Sequence, residues 1–177
     1  KVQGAVAATL VSDGDTIIYV TGNQAQSTGQ ERRNGFMEAF GAARPNSKVL
    51  EVPTEWNSQQ AQEGVEAVLN ANADVKMVAN AWDGGTMGAK AALENLGYGA
   101  GDVKLVGFDG AGDAIAAMDE GWVHSDTAQM LYQMGYQGIK AAAAAARGED
   151  VRPRIDTGFF LVTPETSGVY KKMVGIN

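Results

Sequence analysis

The stretch from Val103 to Asp113, VKLVGFDGAGD, constrains the fold of this chain more than any other part of the sequence. It opens with a short apolar run containing β-branched side chains, which is typical of a strand buried on both faces. The run ends at Asp109-Gly110, and a helical segment follows that stops near Gly121. A strand that passes through a tight turn into a helix is the repeating unit of a parallel sheet.

The same order of strand and helix recurs along the chain. Apolar runs predict strands at about 16–20, 48–52, 76–81 and 103–108, with a last strand near 155–162. A shorter, polar extended piece predicts a fifth strand near 123–127. Helical spacing of apolar residues predicts helices before and between them, including 2–11, 86–96, 112–120 and 131–147. This alternation predicts an α/β fold with a doubly wound parallel sheet in the strand order 2-1-3-4-5.

The composition narrows the range of possible functions. The formal net charge is −7 and no basic patch is present, which argues against a nucleic-acid partner. Cysteine is absent and His124 is the single histidine, so we expect no disulfide, no metal site and no Ser-His-Asp triad. The loop after the first strand lacks the glycine pattern of a nucleotide-binding site, and we therefore expect no cofactor.

Polar and aromatic side chains follow several of the predicted strands. Because the carboxyl ends of parallel strands meet at one edge of a sheet, we expect them to form one ligand site there. Tryptophan faces stack on the C–H faces of sugars, while arginine, aspartate and glutamine hydrogen-bond to hydroxyls. The candidate ligand-binding residues are Arg32, Trp56, Trp82, Asp83, Asp109 and Gln129.

Each candidate also has a purely structural interpretation, which the residues alone leave open. Asp109 could cap the following helix, and Arg32 could be a surface arginine in the first turn of its helix. Trp56 and Trp82 could belong to the core. For Asp83 we favour a helix cap or a residue behind the ligand over direct contact with it.

Several stretches together resemble the C-terminal lobe of type I periplasmic sugar-binding proteins, the ribose- and galactose-binding group of ABC-transporter receptors. The stretches that carry this resemblance are TIIYVTGN with GQERRNGFMEAF, VPTEWNSQQA, VANAWDGGTMGAKAAL, VKLVGFDG and HSDTAQMLYQMG. The resemblance covers nearly the whole chain. It implies ligand-binding roles for Arg32, Trp56, Asp109 and Gln129. At Trp82 the chain departs from the family, which often has an asparagine there, and this suggests a polyol or an unusual monosaccharide.

The resemblance also implies a domain organisation. Residues 1–129 would form the C-terminal ligand-binding lobe, and residues 130–148 a helix that packs on an N-terminal lobe that this chain lacks. Residues 149–177 would form a return strand and a tail. We therefore expect a fragment that binds sugar or polyol weakly by itself and tends to self-associate through that helix. The implied partner is a membrane permease, and the implied location is periplasmic or otherwise extracytoplasmic.

Two other functions remain as alternatives. The effector-binding domain of a LacI-type transcriptional repressor shares the implied fold. It would carry a DNA-binding headpiece upstream, whereas a receptor would carry a signal peptide. A small α/β enzyme is the third possibility, but the sequence offers no assembled nucleophile and base to support it.

Overall fold

Six strands and seven helices alternate along residues 1–176, which are the residues described by the computed structural model. Asn177, the last residue of the predicted tail, lies outside the described residues. The strands are β1 (Thr16–Val20), β2 (Lys48–Val52), β3 (Val75–Asn80), β4 (Lys104–Asp109), β5 (Val123–Gln129) and β6 (Phe159–Val162). The helices are α1 (Val2–Thr9), α2 (Ser27–Ala43), α3 (Ser58–Ala71), α4 (Asp83–Asn95), α5 (Gly112–Asp119), α6 (Leu131–Ala146) and α7 (Ser167–Val174).

The strands form one sheet in the order β2-β1-β3-β4-β5-β6. The first five strands of this order run parallel, which confirms the predicted fold class and strand order. β6 extends the sheet as an antiparallel edge strand, with Asp126 opposite Val162 and Gln129 opposite Phe159. The carboxyl ends of β1 to β5 therefore all lie at one edge, where open α/β sheets bind their ligands.

Helices cover both faces of the sheet, as its apolar strands require. On one face, Ile18 and Val20 of β1 belong to a buried cluster formed with α3, α4, α5 and α7. On the other face, Ile17 and Tyr19 pack with residues of α1 and α2, including Phe36. Alternate residues of a strand point to opposite faces, so a fully apolar strand such as TIIYV supplies both clusters.

Two helices differ from the prediction. α4 begins at Asp83 instead of Thr86, because the acidic side chain suits the positive end of a helix and the following glycines pack under Trp82. α7 occupies residues predicted to be a tail. It is stabilised by Tyr170, which is 2% exposed and donates a 2.9 Å hydrogen bond to the carbonyl of Gly110. This long-range burial could not be read from a short polar segment.

α6 differs from the other helices because every one of its residues is at least partly exposed. Its apolar side chains include Leu131, Met134 and Ile139, which are 65%, 43% and 75% exposed. An apolar surface of this kind is typical of a helix that packs against something else. Within residues 1–176, no helix has both the length and the apolar character needed to cross a membrane.

Candidate functional site

The six predicted site residues all lie at or just beneath the carboxyl edge of the parallel strands. Asp109 and Gln129 end β4 and β5, and Trp82 immediately precedes α4. Trp56 lies in the loop after β2, and Arg32 projects from α2. The sheet topology thus brings together residues that are far apart in sequence.

Arg32, Asp109 and Gln129 form a continuous polar row. The Nη1 atom of Arg32 lies 3.0 Å from Oδ1 of Asp109, and the Nε2 atom of Gln129 donates to the same oxygen at 2.6 Å. Nη1 of Arg32 also donates to the carbonyl of Ala81 at 2.7 Å. The Arg32 and Asp109 side chains are only 15% and 29% exposed, which strengthens their interaction relative to one in bulk water.

Phe108 supports this row from one side and was not among the predicted site residues. The Cζ atom of Arg32 lies 4.2 Å from the centroid of the Phe108 ring, within the range of a cation–π contact. We interpreted Phe108 only as part of a buried strand, whereas its side chain is half-buried at the site. Its position as the second-last residue of β4 was the available signal.

The two tryptophans meet edge to face beside the polar row. The ring centroids of Trp56 and Trp82 are 5.3 Å apart and their planes are inclined by 87°. The Cζ atom of Arg32 is 5.6 Å from the centroid of Trp56. Both tryptophans are half-buried, so apolar ring surface adjoins the polar row. Stacking surface next to hydrogen-bonding groups is the arrangement expected for a polyhydroxy ligand.

Residues in the loop after β1 hold Trp56 in place. Gln26 accepts a 2.7 Å hydrogen bond from the indole Nε1 of Trp56. A side chain at Gly22 would place its Cβ 2.1 Å from the Trp56 ring, so only glycine fits there. Trp56 itself has a φ of +59°, which is uncommon for a bulky residue. We predicted no role for Gly22 or Gln26 from the sequence.

Asp83 lies beneath the site, where it organises the loop between β4 and α5. Its two carboxylate oxygens accept hydrogen bonds from the backbone N–H groups of Phe108 (3.0 Å) and Ala111 (2.7 Å). The side chain is buried, so it reaches the site through these two neighbours of Asp109. Asp83 therefore lies behind Asp109, and its role as a residue behind a ligand stays a prediction.

The electrostatics of Asp109 reflect two opposing effects. Burial raises the pKa of the Asp109 carboxyl above its ordinary value, and the adjacent Arg32 and Gln129 side chains favour the ionised form. Asp109 also has a φ of +126°, a conformation that costs free energy and is often found at functional sites. Within residues 1–176, no group of three or more His, Cys, Asp or Glu residues is placed to hold a metal ion.

The family follows from a comparison of the sequence with known proteins. Residues 1–150 match the family model described as "Periplasmic binding protein domain". The chain therefore belongs to the periplasmic-binding-protein family, as the resemblance at its strand ends implied.

Individual relatives are named as binding proteins for sugars or other solutes. The chain is 28% identical over 165 residues to the ribose import binding protein RbsB of Escherichia coli, covering 93% of this chain and 55% of that protein. It is 30% identical over 144 residues to the D-allose-binding periplasmic protein of the same organism, covering 81% and 46%. An ABC-transporter solute-binding protein from Bacillus halodurans, solved with bound myo-inositol, is 26% identical. It has a TM-score of 0.87 and covers 96% of this chain and 58% of that one. The chain thus spans about half the length of the curated relatives it matches.

Proposed function

We propose that this chain is the C-terminal ligand-binding lobe of an ABC-importer solute-binding protein that binds a monosaccharide or a polyol. The observation that carries the proposal is the polar row of Arg32, Asp109 and Gln129 beside the indoles of Trp56 and Trp82. Two relatives are named for ribose and allose, and a third was solved with bound myo-inositol. All three compounds are uncharged and carry several hydroxyl groups, which supports a ligand of that class.

In this proposal the polar row recognises hydroxyl groups. The ionised Asp109 accepts hydrogen bonds from ligand hydroxyls, and the Arg32 guanidinium and the Gln129 amide donate to ligand oxygens. Trp56 and Trp82 offer apolar surface to the C–H groups of the ligand. Asp83 acts from beneath, through the loop that carries Asp109.

The other wall of the site belongs to a second lobe. The polar row lies at an open edge of the sheet, whereas ligand pockets bury about 70–90% of their ligand. The chain's share of its relatives' length is consistent with a second lobe of similar size. The exposed apolar side chains of α6 would pack on that lobe. The complete protein would then be extracytoplasmic and deliver its ligand to a membrane permease.

Isothermal titration of the complete gene product that contains this chain, against pentoses, hexoses and polyols, tests the proposal. We expect saturable binding of at least one of these ligands, and loss of that binding in Asp109→Ala. The control is Asp150→Asn, which changes an exposed carboxylate on the segment after α6. Absence of binding across the panel, or equal binding by Asp109→Ala, would contradict the proposal. A helix-turn-helix segment that precedes this chain in the gene product would instead favour the effector-binding domain of a LacI-type repressor.

A further inference from the structure

Two buried carboxyl groups converge beneath the binding edge, at Gly107. A Cβ atom added to Gly107 would lie 2.3 Å from Oδ2 of Asp126 and 2.7 Å from Oδ1 of Asp83. Asp126 is 0% exposed and Asp83 is 2% exposed. Glycine at position 107 therefore leaves the space that the two acids fill, one from β5 and one from α4.

The two acids have different hydrogen-bond partners. Asp83 accepts from two backbone N–H groups, and these bonds favour its ionised form. Neither oxygen of Asp126 has a hydrogen-bond partner among the described residues. The N–H of Gly110 is near enough to favour an ionised Asp126, but it does not reach hydrogen-bonding geometry.

Two ionised carboxylates in such a site would repel each other without solvent to screen them. Adding one proton removes this conflict, because a protonated carboxyl can donate a hydrogen bond to an ionised one. Since Asp83 already accepts two backbone bonds, the proton belongs on Asp126.

We propose that Asp126 and Asp83 share one proton at neutral pH, with Asp126 as the donor, and that this acid pair positions the loop that carries Asp109. Asp126 is thus a positioning residue that acts through Asp83 on the backbone at Phe108 and Ala111. The importance of Asp109 for ligand binding rests on the proposed function, whereas the shared proton does not.

The surroundings of the pair support retention of the proton. Burial raises the pKa of both Asp83 and Asp126, and the negative charge of Asp109 acts in the same direction. Tyr170 of α7 also faces the pair, and its own pKa is raised. Among the other elements that pack against β5, β6 and α1 contain no charged residue, and the acidic residues of α5, Asp113 and Asp119, are exposed. β4 carries Lys104 at its first residue, three residues before Gly107. The positive charge of Arg32 is paired with the carboxylate of Asp109.

Carboxyl-carbon NMR of the 177-residue chain tests the shared proton without any ligand. We expect one aspartate Cγ resonance with the shift of a protonated carboxyl near neutral pH, and we expect Asp126→Asn to remove it. The amide protons of Phe108 and Ala111 should keep their shifts in Asp126→Asn, whose amide still donates to Asp83. They should move in Asp83→Asn, which loses the carboxylate acceptor. Ionised shifts for every aspartate at neutral pH would overturn the proposal.

Unfolding measured against pH provides a second, independent test. An acid whose pKa is raised by folding stabilises the fold at low pH, and that contribution is lost as pH rises. The unfolding equilibrium constant of the wild type, divided by that of Asp126→Asn, should therefore rise about tenfold per pH unit between about pH 6 and about pH 8. Asp150→Asn should follow the wild type. Parallel curves for wild type and Asp126→Asn would show that Asp126 does not carry the proton and would overturn the proposal.

Discussion

The guanidinium of Arg32 lies 3.0 Å from the carboxylate of Asp109, although one residue belongs to α2 and the other ends β4. This pair places a charge-assisted contact at the carboxyl edge of the sheet, where neither group is fully exposed. Because Gln129 donates to the same carboxylate oxygen, the other oxygen of Asp109 remains available to accept from a ligand hydroxyl. In the proposed function, this geometry links the sheet topology to ligand recognition.

Asp109→Ala should cost more ligand affinity than Asp83→Ala in the complete protein. Each charge-assisted hydrogen bond from a ligand hydroxyl to Asp109 contributes about 1.5–3 kcal/mol, so the loss should be tenfold or more. Asp83→Ala leaves two buried backbone N–H groups without acceptors and should mainly lower the thermal stability. Calorimetric titration and thermal unfolding of both variants distinguish these effects, and equal affinity losses would reject the ranking.

On acidification, ligand affinity should begin to fall at a higher pH than it would if Asp109 had the pKa of an ordinary aspartate. The pKa of Asp109 is raised in the unliganded site, chiefly by burial, and its protonation removes the acceptor that the ligand needs. Affinity is therefore present above that pKa and lost as pH falls through it. Titrations of the complete protein from about pH 7 to about pH 4 measure this. A flat profile would show that the charge of Asp109 does not contribute to binding.

Trp56→Gly and Trp56→Ala should lose similar ligand affinity but differ in stability. Both remove the stacking surface, whereas only glycine adopts the positive φ of this position without strain. The glycine variant should be more stable than the alanine variant by about 1 kcal/mol. Thermal unfolding measures the difference, and calorimetry measures the affinity. A glycine variant less stable than the alanine variant would show that the positive φ at position 56 is not a source of strain.

The 177-residue chain alone should bind ligand far more weakly than the complete protein. In the proposed complete protein a second lobe covers the polar row. In the chain alone, ligand hydroxyls keep exchanging with water and the contacts with the ligand act in a higher dielectric. Each loss of about 1.4 kcal/mol weakens binding tenfold. Side-by-side calorimetry of the two proteins measures the ratio. Micromolar or tighter binding by a monomeric chain would show that one lobe suffices.

The isolated chain should self-associate through α6. Leu131 and Ile139 are 65% and 75% exposed, and covering such surface removes apolar area from water. Replacing both with glutamate should shift sedimentation toward the monomer. Val169→Glu is a matched control, because Val169 is 61% exposed on a different helix. Association that persists in the α6 variant and disappears in the control would place the contact on α7.

The sequence predicted the five parallel strands and the edge at which the site residues meet, because four of these strands have the apolar runs that are typical of buried strands. It did not predict α7, whose formation depends on burying Tyr170 against a distant loop. The contact of the Phe108 ring with Arg32 also could not be predicted from the sequence. A phenylalanine at the end of a buried strand looks the same in sequence whether it faces the core or a guanidinium.

The acid pair was equally invisible in the sequence. Asp126 lies in a polar run that predicted only a short strand, and nothing in the run indicates that its carboxyl meets that of Asp83 across Gly107. Such meetings depend on the register of β4 against β5, which pairs Gly107 with Asp126. Register comes from packing over the whole sheet, and local sequence patterns determine it poorly.

The antiparallel pairing of β5 with β6 has a mechanical consequence. The chain leaves the sheet after Gln129 and returns at Phe159, and these two residues are partners in the ladder. The intervening segment, which contains α6, is therefore tethered at two points about 5 Å apart. Any movement of this segment as one body must pivot on the Gln129–Phe159 pair. Because one tether is Gln129, such a movement acts directly on the side chain that contacts Asp109.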